Sequence, residues 1–217
     1  ISCDLFIDEK KVQDIKPYLK SNSVTVHAPE SMLKFLKDLS EMKIFMDVTT
    51  CNASHYLTLQ ANKNIELKFS IELGERYNRI ASLKRKKNVT EREGMRQANL
   101  RDCASMIRYF AWLEESMQDP NHTITEYVAA EKCEEFKSQG SDLAIRPAFG
   151  TMMAFGSNSS CMHYFPDEDT ALRMDNGTLL LDSGFHYHDG TTDISRTLWL
   201  GDKEPSQFTK EVYTRSL

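Results

Sequence analysis

With 217 residues and 40% hydrophobic side chains, the chain can bury one large core or two small ones without disulfide or metal staples. A net charge of −5, with Lys and Arg scattered along the sequence, leaves no basic face on which nucleic acid could wrap. No apolar run approaches the roughly 20 residues that cross a bilayer, and Ile1-Ser2-Cys3-Asp4 lacks the basic and apolar parts of an export signal, so no membrane is expected as a partner.

Cys3, Cys51, Cys103, Cys133 and Cys161 are odd in number and form no C-x-x-C pair, which favours a reducing compartment and a cytoplasmic location. Sequons at Asn52, Asn88, Asn121, Asn158 and Asn176 weigh the other way, but such triplets also arise by chance in Ser/Thr-rich loops. The chain begins with Ile and ends inside a helical pattern, so both ends are expected to be cut.

From Cys3 to Ile80, β-rich segments (Val24-Thr25-Val26, Lys43 to Met46, Ile65 to Phe69) alternate with a helical pattern. That pattern carries Met32, Phe35, Leu36, Leu39 and Met42, with Ser31 as its N-cap, so an α/β layer is expected. Leu83 to Asn88 is a block of positive charge, read as a solvated linker rather than a nuclear-localisation patch. A long helix then opens at Thr90 with Glu93 completing a capping box, and its inward stripe is Met95, Leu100, Cys103, Met106, Ile107, Phe110 and Leu113. A second helix follows Thr123 to Thr125, with Glu126 in its first turn, Val128, Ala129, Cys133 and Phe136 inward, and Gly140 near its end. Both stripes read as core rather than as a cofactor box. Beyond Phe149 the pattern turns to β-hairpins, with a turn at Asn176-Gly177, a strand from Thr178 and another over Thr191 to Leu200.

The sharpest feature is Leu179-Leu180-Leu181-Asp182-Ser183-Gly184, followed by Asp189-Gly190-Thr191-Thr192-Asp193-Ile194-Ser195-Arg196-Thr197. If a two-residue loop at Tyr187-His188 closes this hairpin, Asp182 and Asp193 stand opposite each other on one face with Cβ atoms roughly 5 Å apart. If Asp189-Gly190 is the loop, they still share a face but separate too far along the strands to hold one ion together. Carboxylates at close spacing repel unless they share a proton or hold cations, and oxygen donors suit divalent ions such as manganese. An isolated pair would read as ordinary turn aspartates, and His186-Tyr187-His188, on or beside the loop, as solvated histidines.

The whole run closely resembles the first metal-ligand segment of aminopeptidase P, the Xaa-Pro aminopeptidases of the pita-bread metallopeptidases, and among them the cytosolic three-domain forms. Upstream, Glu93-Gly94-Met95-Arg96, Arg101-Asp102 and Ala111-Trp112-Leu113-Glu114 are similar to the helix that opens the family's catalytic domain. His163-Tyr164-Phe165-Pro166 is similar to its substrate-side histidine segment, and Phe208 to Arg215 to the start of the following helix. The Gly156 to Ser160 segment departs from the Gly/Asn-Gly pattern usual before that histidine.

The resemblance implies a mixed α/β and α+β fold. Residues 1–82 would be the C-terminal end of a creatinase-N-like α/β domain, and residues 83–217 the truncated first half of a pita-bread catalytic domain. It implies two divalent metal ions, commonly Mn2+, with Asp182 chelating one and Asp193 bridging both, and His163 as a catalytic residue that donates a hydrogen bond to the peptide. The implied reaction is hydrolysis of the first bond of peptides with proline at the second position, without a covalent intermediate. One His and two Glu ligands would lie beyond Leu217, in the remaining part of the catalytic domain, so this piece alone is expected to be inactive. A homodimer is implied for the complete protein. The alternative is a non-catalytic pita-bread binding module, since such relatives lose the metal-binding residues. No G-x-S-x-G elbow or phosphate loop occurs, and Cys161 near His163 lacks a third orienting group, so rival chemistries are not expected.

Overall fold

The computed structural model describes residues 3–47, 49–69, 79–119 and 123–217, with backbone alone at 79 and 80. The sequon at Asn121 and the end of the first α/β stretch, residues 70–78, lie outside the described residues. The chain divides into two compact units, Ile1–Lys86 and Lys87–Leu217.

In the first unit, β1 (Cys3–Phe6) pairs in parallel with β2 (Val24–His27), and β3 (Met42–Met46) with β4 (Ile65–Phe69). Parallel neighbours need a crossover, and α1 (Lys16–Ser21) and α3 (Ala53–Ala61) supply it, while α2 (Met32–Asp38) joins the two pairs. All three β-rich segments read from the sequence form strands. Ser31 does precede α2, but its hydroxyl donates to Ala28 O instead of capping. A short α4 (Arg79–Arg85) runs into the basic block, which is exposed as expected but begins as helix rather than linker.

The second unit opens with α5 (Val89–Gln118). Its capping box is Asn88 and Glu91, two residues earlier than Thr90 and Glu93: Glu91 N–H donates to Asn88 Oδ1 at 2.9 Å and Asn88 N–H to Glu91 Oε2 at 2.8 Å. Glu93 instead pairs with Arg96 one turn on. The inward stripe also differs from the expected one. Ala98, Asp102, Ser105, Met106, Tyr109, Leu113 and Ser116 are buried, whereas Leu100 and Ile107 are 59% and 70% exposed. The cause is a polar pairing partner for Asp102 on α6 (Glu126–Gln139), described below. On α6, Ala129, Ala130 and Cys133 face the core, and Val128 turns outward.

Three antiparallel chain passes form the β layer. The first carries β5 (Ala144–Pro147) and β6 (Met152–Phe155), the second β7 (Gly177–Ser183) and β8 (Phe185–Tyr187), the third β9 (Gly190–Thr191) and β10 (Ile194–Leu200). All three break at one level, at residues 148–151, Gly184 and 192–193, which leaves two three-stranded sheets with the middle pass central to both. Tyr109, Leu113, Ala129 and Cys133 from the helices pack on Met153, Leu179 and Leu181 from the sheet. The chain continues into α7 (Gln207–Ser216), capped by Ser206.

Glu126, completely buried at the start of α6, organises the connection between β6 and β7. Its carboxylate accepts from Phe155 N–H (2.6 Å), Asn158 Nδ2 (3.0 Å), Tyr164 O–H (2.7 Å) and Leu172 N–H (2.8 Å). Charged acceptors make the stronger hydrogen bonds, and several together offset the cost of burying the charge. Four of the sequon asparagines also have structural uses. Asn52 and Asn88 cap helices, Asn158 bonds Glu126, and Asn176 Oδ1 accepts from Lys203 N–H at 2.8 Å.

Glu126→Ala strands four donors at once and is expected to cost about 3 kcal/mol or more in denaturant unfolding. Glu126→Gln recovers only part of this, because its amide NH2 meets donors. A second test turns on Gly94, where a Cβ would lie 2.0 Å from Asp189 O. Helix propensity alone makes Gly→Ala favourable by about 1 kcal/mol. Here the clash is with backbone, so Gly94→Ala is expected to lower stability by about 1–3 kcal/mol, measured the same way.

Candidate metal centre

Asp182 and Asp193 lie on the hairpin made by the second and third passes. Ser183 faces Ile194 and Asp182 faces Ser195, and past the break His186 faces Thr191 and Tyr187 faces Gly190. One register therefore runs from end to end, and the loop is His188-Asp189, between the two loops considered from the sequence. Asp193 stands opposite Gly184, two residues from the position facing Asp182, so the carboxylates are diagonal neighbours rather than directly opposed. Tyr187 decides the loop. It is buried against Ala98 and donates its hydroxyl proton to Asp102, so it cannot join a turn. The tip is tied down by His188 N–H to Leu143 O (3.0 Å), an Arg101–Asp189 ion pair and the close approach at Gly94.

The strand expected over Thr191 to Leu200 is interrupted at 192–193, so Asp193 sits at the break and not inside a strand. Gly184 is required opposite it, since a Cβ there would meet Thr192 O at 2.4 Å and the Phe149 ring at 2.6 Å. Thr192 carries the ladder across: its N–H donates to Phe185 O at 3.0 Å, and its hydroxyl accepts from Phe185 N–H at 3.0 Å. No residue slips, so the alternation of faces survives. Asp182 is half-buried between buried Leu181 and Ser183, and Asp193 is exposed between buried Thr192 and Ile194. Both belong to the outward-facing set, and diagonal neighbours in a regular ladder are roughly 7–8 Å apart.

Asp182 Oδ1 is buried and accepts no hydrogen bond among the described residues. Leaving a charged acceptor unsatisfied is costly, and a cation beside it removes that cost. The donor set is two carboxylates, which suits a hard or borderline divalent ion. Among the described residues no group of three His, Cys, Asp or Glu gathers to hold a metal ion, so the pair amounts to part of a coordination shell.

Behind β7 lies a polar cluster that sequence periodicity does not reveal. Lys137 Nζ, buried near the end of α6, donates to Asp102 Oδ2 (3.1 Å), Ser183 Oγ (2.7 Å) and Ser183 O (3.4 Å). Tyr187 O–H donates to Asp102 Oδ1 at 2.9 Å. Burial, and then the Asp102 carboxylate, hold the Tyr187 phenol well above the usual tyrosine range, so it remains a donor at all physiological pH. Cys133 lies beside Ser183, and burial pushes its thiol up to about 11, which keeps it protonated and unsuited to nucleophilic work.

His163 is exposed in a turn after the helical segment Gly156–Ser160, with φ +56°. Left-handed backbone is uncommon outside glycine, and here it sits beside Tyr164, whose hydroxyl is held by Glu126 and whose pKa burial pushes up to about 12. His186 Nδ1 shares a hydrogen bond with Thr191 Oγ1 at 2.8 Å, while His188 occupies the loop.

Two family patterns cover the chain: metallopeptidase family M24 matches residues 93–217, and the creatinase/prolidase N-terminal domain matches residues 1–91. Among relatives, "Xaa-Pro aminopeptidase 1" of Dictyostelium discoideum is 33% identical over 98% of this chain and 32% of its own length. A "Probable Xaa-Pro aminopeptidase P" of Sordaria macrospora is 32% identical over 98% of this chain and 35% of its own. The chain thus spans about a third of the length of these relatives. The solved X-prolyl aminopeptidase of Caenorhabditis elegans, described as a cytosolic enzyme with a di-nuclear active site, superposes with a TM-score of 0.75 at 25% identity, over 94% of this chain and 33% of that one. The prolidase of Pyrococcus furiosus shares the fold, with a TM-score of 0.64 at 19% identity over 97% of this chain and 56% of that one. The fold is that of a creatinase-type N-terminal domain followed by the start of a pita-bread domain, and the chain belongs to metallopeptidase family M24.

Proposed function

We propose that this chain is part of a metal-dependent aminopeptidase that removes the first residue from peptides with proline in second place. The carrying observation is the buried, partnerless Oδ1 of Asp182 with Asp193 a diagonal step away on the same outward face, in a chain of this family. Asp182 would hold one divalent ion and Asp193 would bridge two, with Mn2+ as the ion. Further sequence would supply one His and two Glu, in keeping with relatives about three times as long. Bound there, the ions supply a water activated at neutral pH and charge to stabilise the tetrahedral species. His163, on its exposed turn, would donate a hydrogen bond to the peptide carbonyl. Phe208 and Val212 on α7, 75% and 47% exposed, offer apolar surface on which the remaining part of the catalytic domain would pack. All five thiols are free and no helix among the described residues is long and apolar enough to cross a membrane. The free thiols and the cytosolic description of the nematode relative support a cytoplasmic location.

The test uses the complete protein and the 217-residue chain side by side. Calorimetric titration with Mn2+ should show two tight sites in the complete protein and only weak binding in the chain alone, where water must fill most of a shell of about six oxygens. In the complete protein, Asp193→Ala should lose the second ion and about 10³-fold or more of Xaa-Pro hydrolysis. His163→Ala should lose about 10²-fold in rate with Mn2+ binding intact. Two tight sites or turnover in the short chain, or full activity of Asp193→Ala, would overturn the proposal.

A further inference from the structure

We infer that Lys137, paired with Asp102, is a positioning residue for the Asp182–Asp193 centre and acts through Ser183. The inference rests on the metal-centre reading above. An ammonium group has three protons, and all three of Lys137 are placed: one on Asp102 and two on Ser183, on its hydroxyl and its carbonyl oxygen. The other oxygen of Asp102 takes the Tyr187 hydroxyl. One buried ion pair therefore grips the middle pass on both sides of Gly184, at Ser183 in β7 and at Tyr187 in β8.

That grip falls at the break between β7 and β8. Glycine is the most permissive backbone, Gly184 has no side chain to pack, and the ladder there relies on the Thr192 hydroxyl in place of a carbonyl. Successive side chains of a strand point to opposite faces, so fixing the Ser183 hydroxyl and carbonyl inward turns the neighbouring Asp182 outward toward Asp193. A hydrophobic side chain at position 137 could fill the same volume but could not direct the Ser183 carbonyl. Lys137 itself is buried behind the sheet, with its ammonium group held by Asp102 and Ser183.

Two variants of the complete protein separate positioning from plain stability. Lys137→Met with Asp102→Asn removes both charges, so that no lone charge is left buried, and Ser183→Ala removes the hydroxyl acceptor while leaving the ion pair. Outer partners of metal ligands are worth about 10–100-fold in affinity or activity. The double variant should therefore weaken Mn2+ binding by about that factor and lower kcat with KM unchanged. Ser183→Ala should do the same to a smaller extent, about tenfold; it also leaves one buried ammonium proton unpaired, so a fall in Tm is expected in either case and Mn2+ affinity and kcat are the deciding readouts. If Mn2+ affinity and kcat stay at the wild-type level in Ser183→Ala and in any folded double variant while only Tm falls, the pair is structural alone and the inference is wrong. Should the double variant fail to fold, Ser183→Ala decides. Asp193→Ala serves as the control: wild-type Mn2+ binding in that variant would sink the metal-centre reading itself, independently of Lys137.

Discussion

The buried pair between Lys137 and Asp102 is the constraint on which the second unit turns. Two charges taken out of water cost several kcal/mol each, and their attraction offsets this only when the remaining protons and lone pairs are satisfied. Here they are: the ammonium has three acceptors, and the carboxylate has Tyr187 as well as the lysine. Such a pair is weak evidence for net stability, since apolar residues of the same volume often serve as well. Its stronger effect is on specificity, because only one rotation of β7 presents Ser183 to the lysine.

Helix α6 carries both polar hubs of this unit. Glu126 in its first turn holds the loop that bears His163, and Lys137 in its last turn holds the strand that bears Asp182. At 1.5 Å per residue the two lie roughly 16 Å apart along the axis. The acid at the N-terminus and the base near the C-terminus also complement the helix dipole. The helix is thus a rigid spacer between two segments that are far apart in sequence.

Much of this was legible in the sequence, and the failures share a cause. The strands at 24–26, 43–46 and 65–69 and the two long helices follow from apolar spacing, and the motif places Asp182 and Asp193 on one hairpin, as they are in the structure. Periodicity, however, treats polar residues as solvated, so it turns Leu100 and Ile107 inward and does not place Asp102, Glu126 or Lys137 in the core, where the structure has them. Asp102 and Lys137 are 35 positions apart, and nothing local links them. A signal existed all the same: Ala98, Asp102, Ser105, Tyr109 and Leu113 are spaced three and four apart, so an inward stripe was present for a reader willing to bury an aspartate. The hairpin loop escapes the sequence for a related reason. Phe185-His186-Tyr187 alternates as a strand should, but neither of the two loops considered is His188-Asp189, because nothing local shows that Tyr187 is buried against Ala98. Asn88 to Glu91 and Thr90 to Glu93 offer capping boxes of the same spacing two residues apart, and only the backbone distinguishes them.

The unbroken register of the hairpin limits how the segment can change in length. Ten residues separate Asp182 from Asp193. Inserting or deleting one residue between the loop and Asp193, without a compensating bulge, would turn Asp193 into the core. A change of two would keep its face but slide it by about one repeat of the pleat, near 7 Å. Loops can lengthen into solvent, whereas the strand arms between the His188-Asp189 loop and the two aspartates can accept substitutions but no change of length.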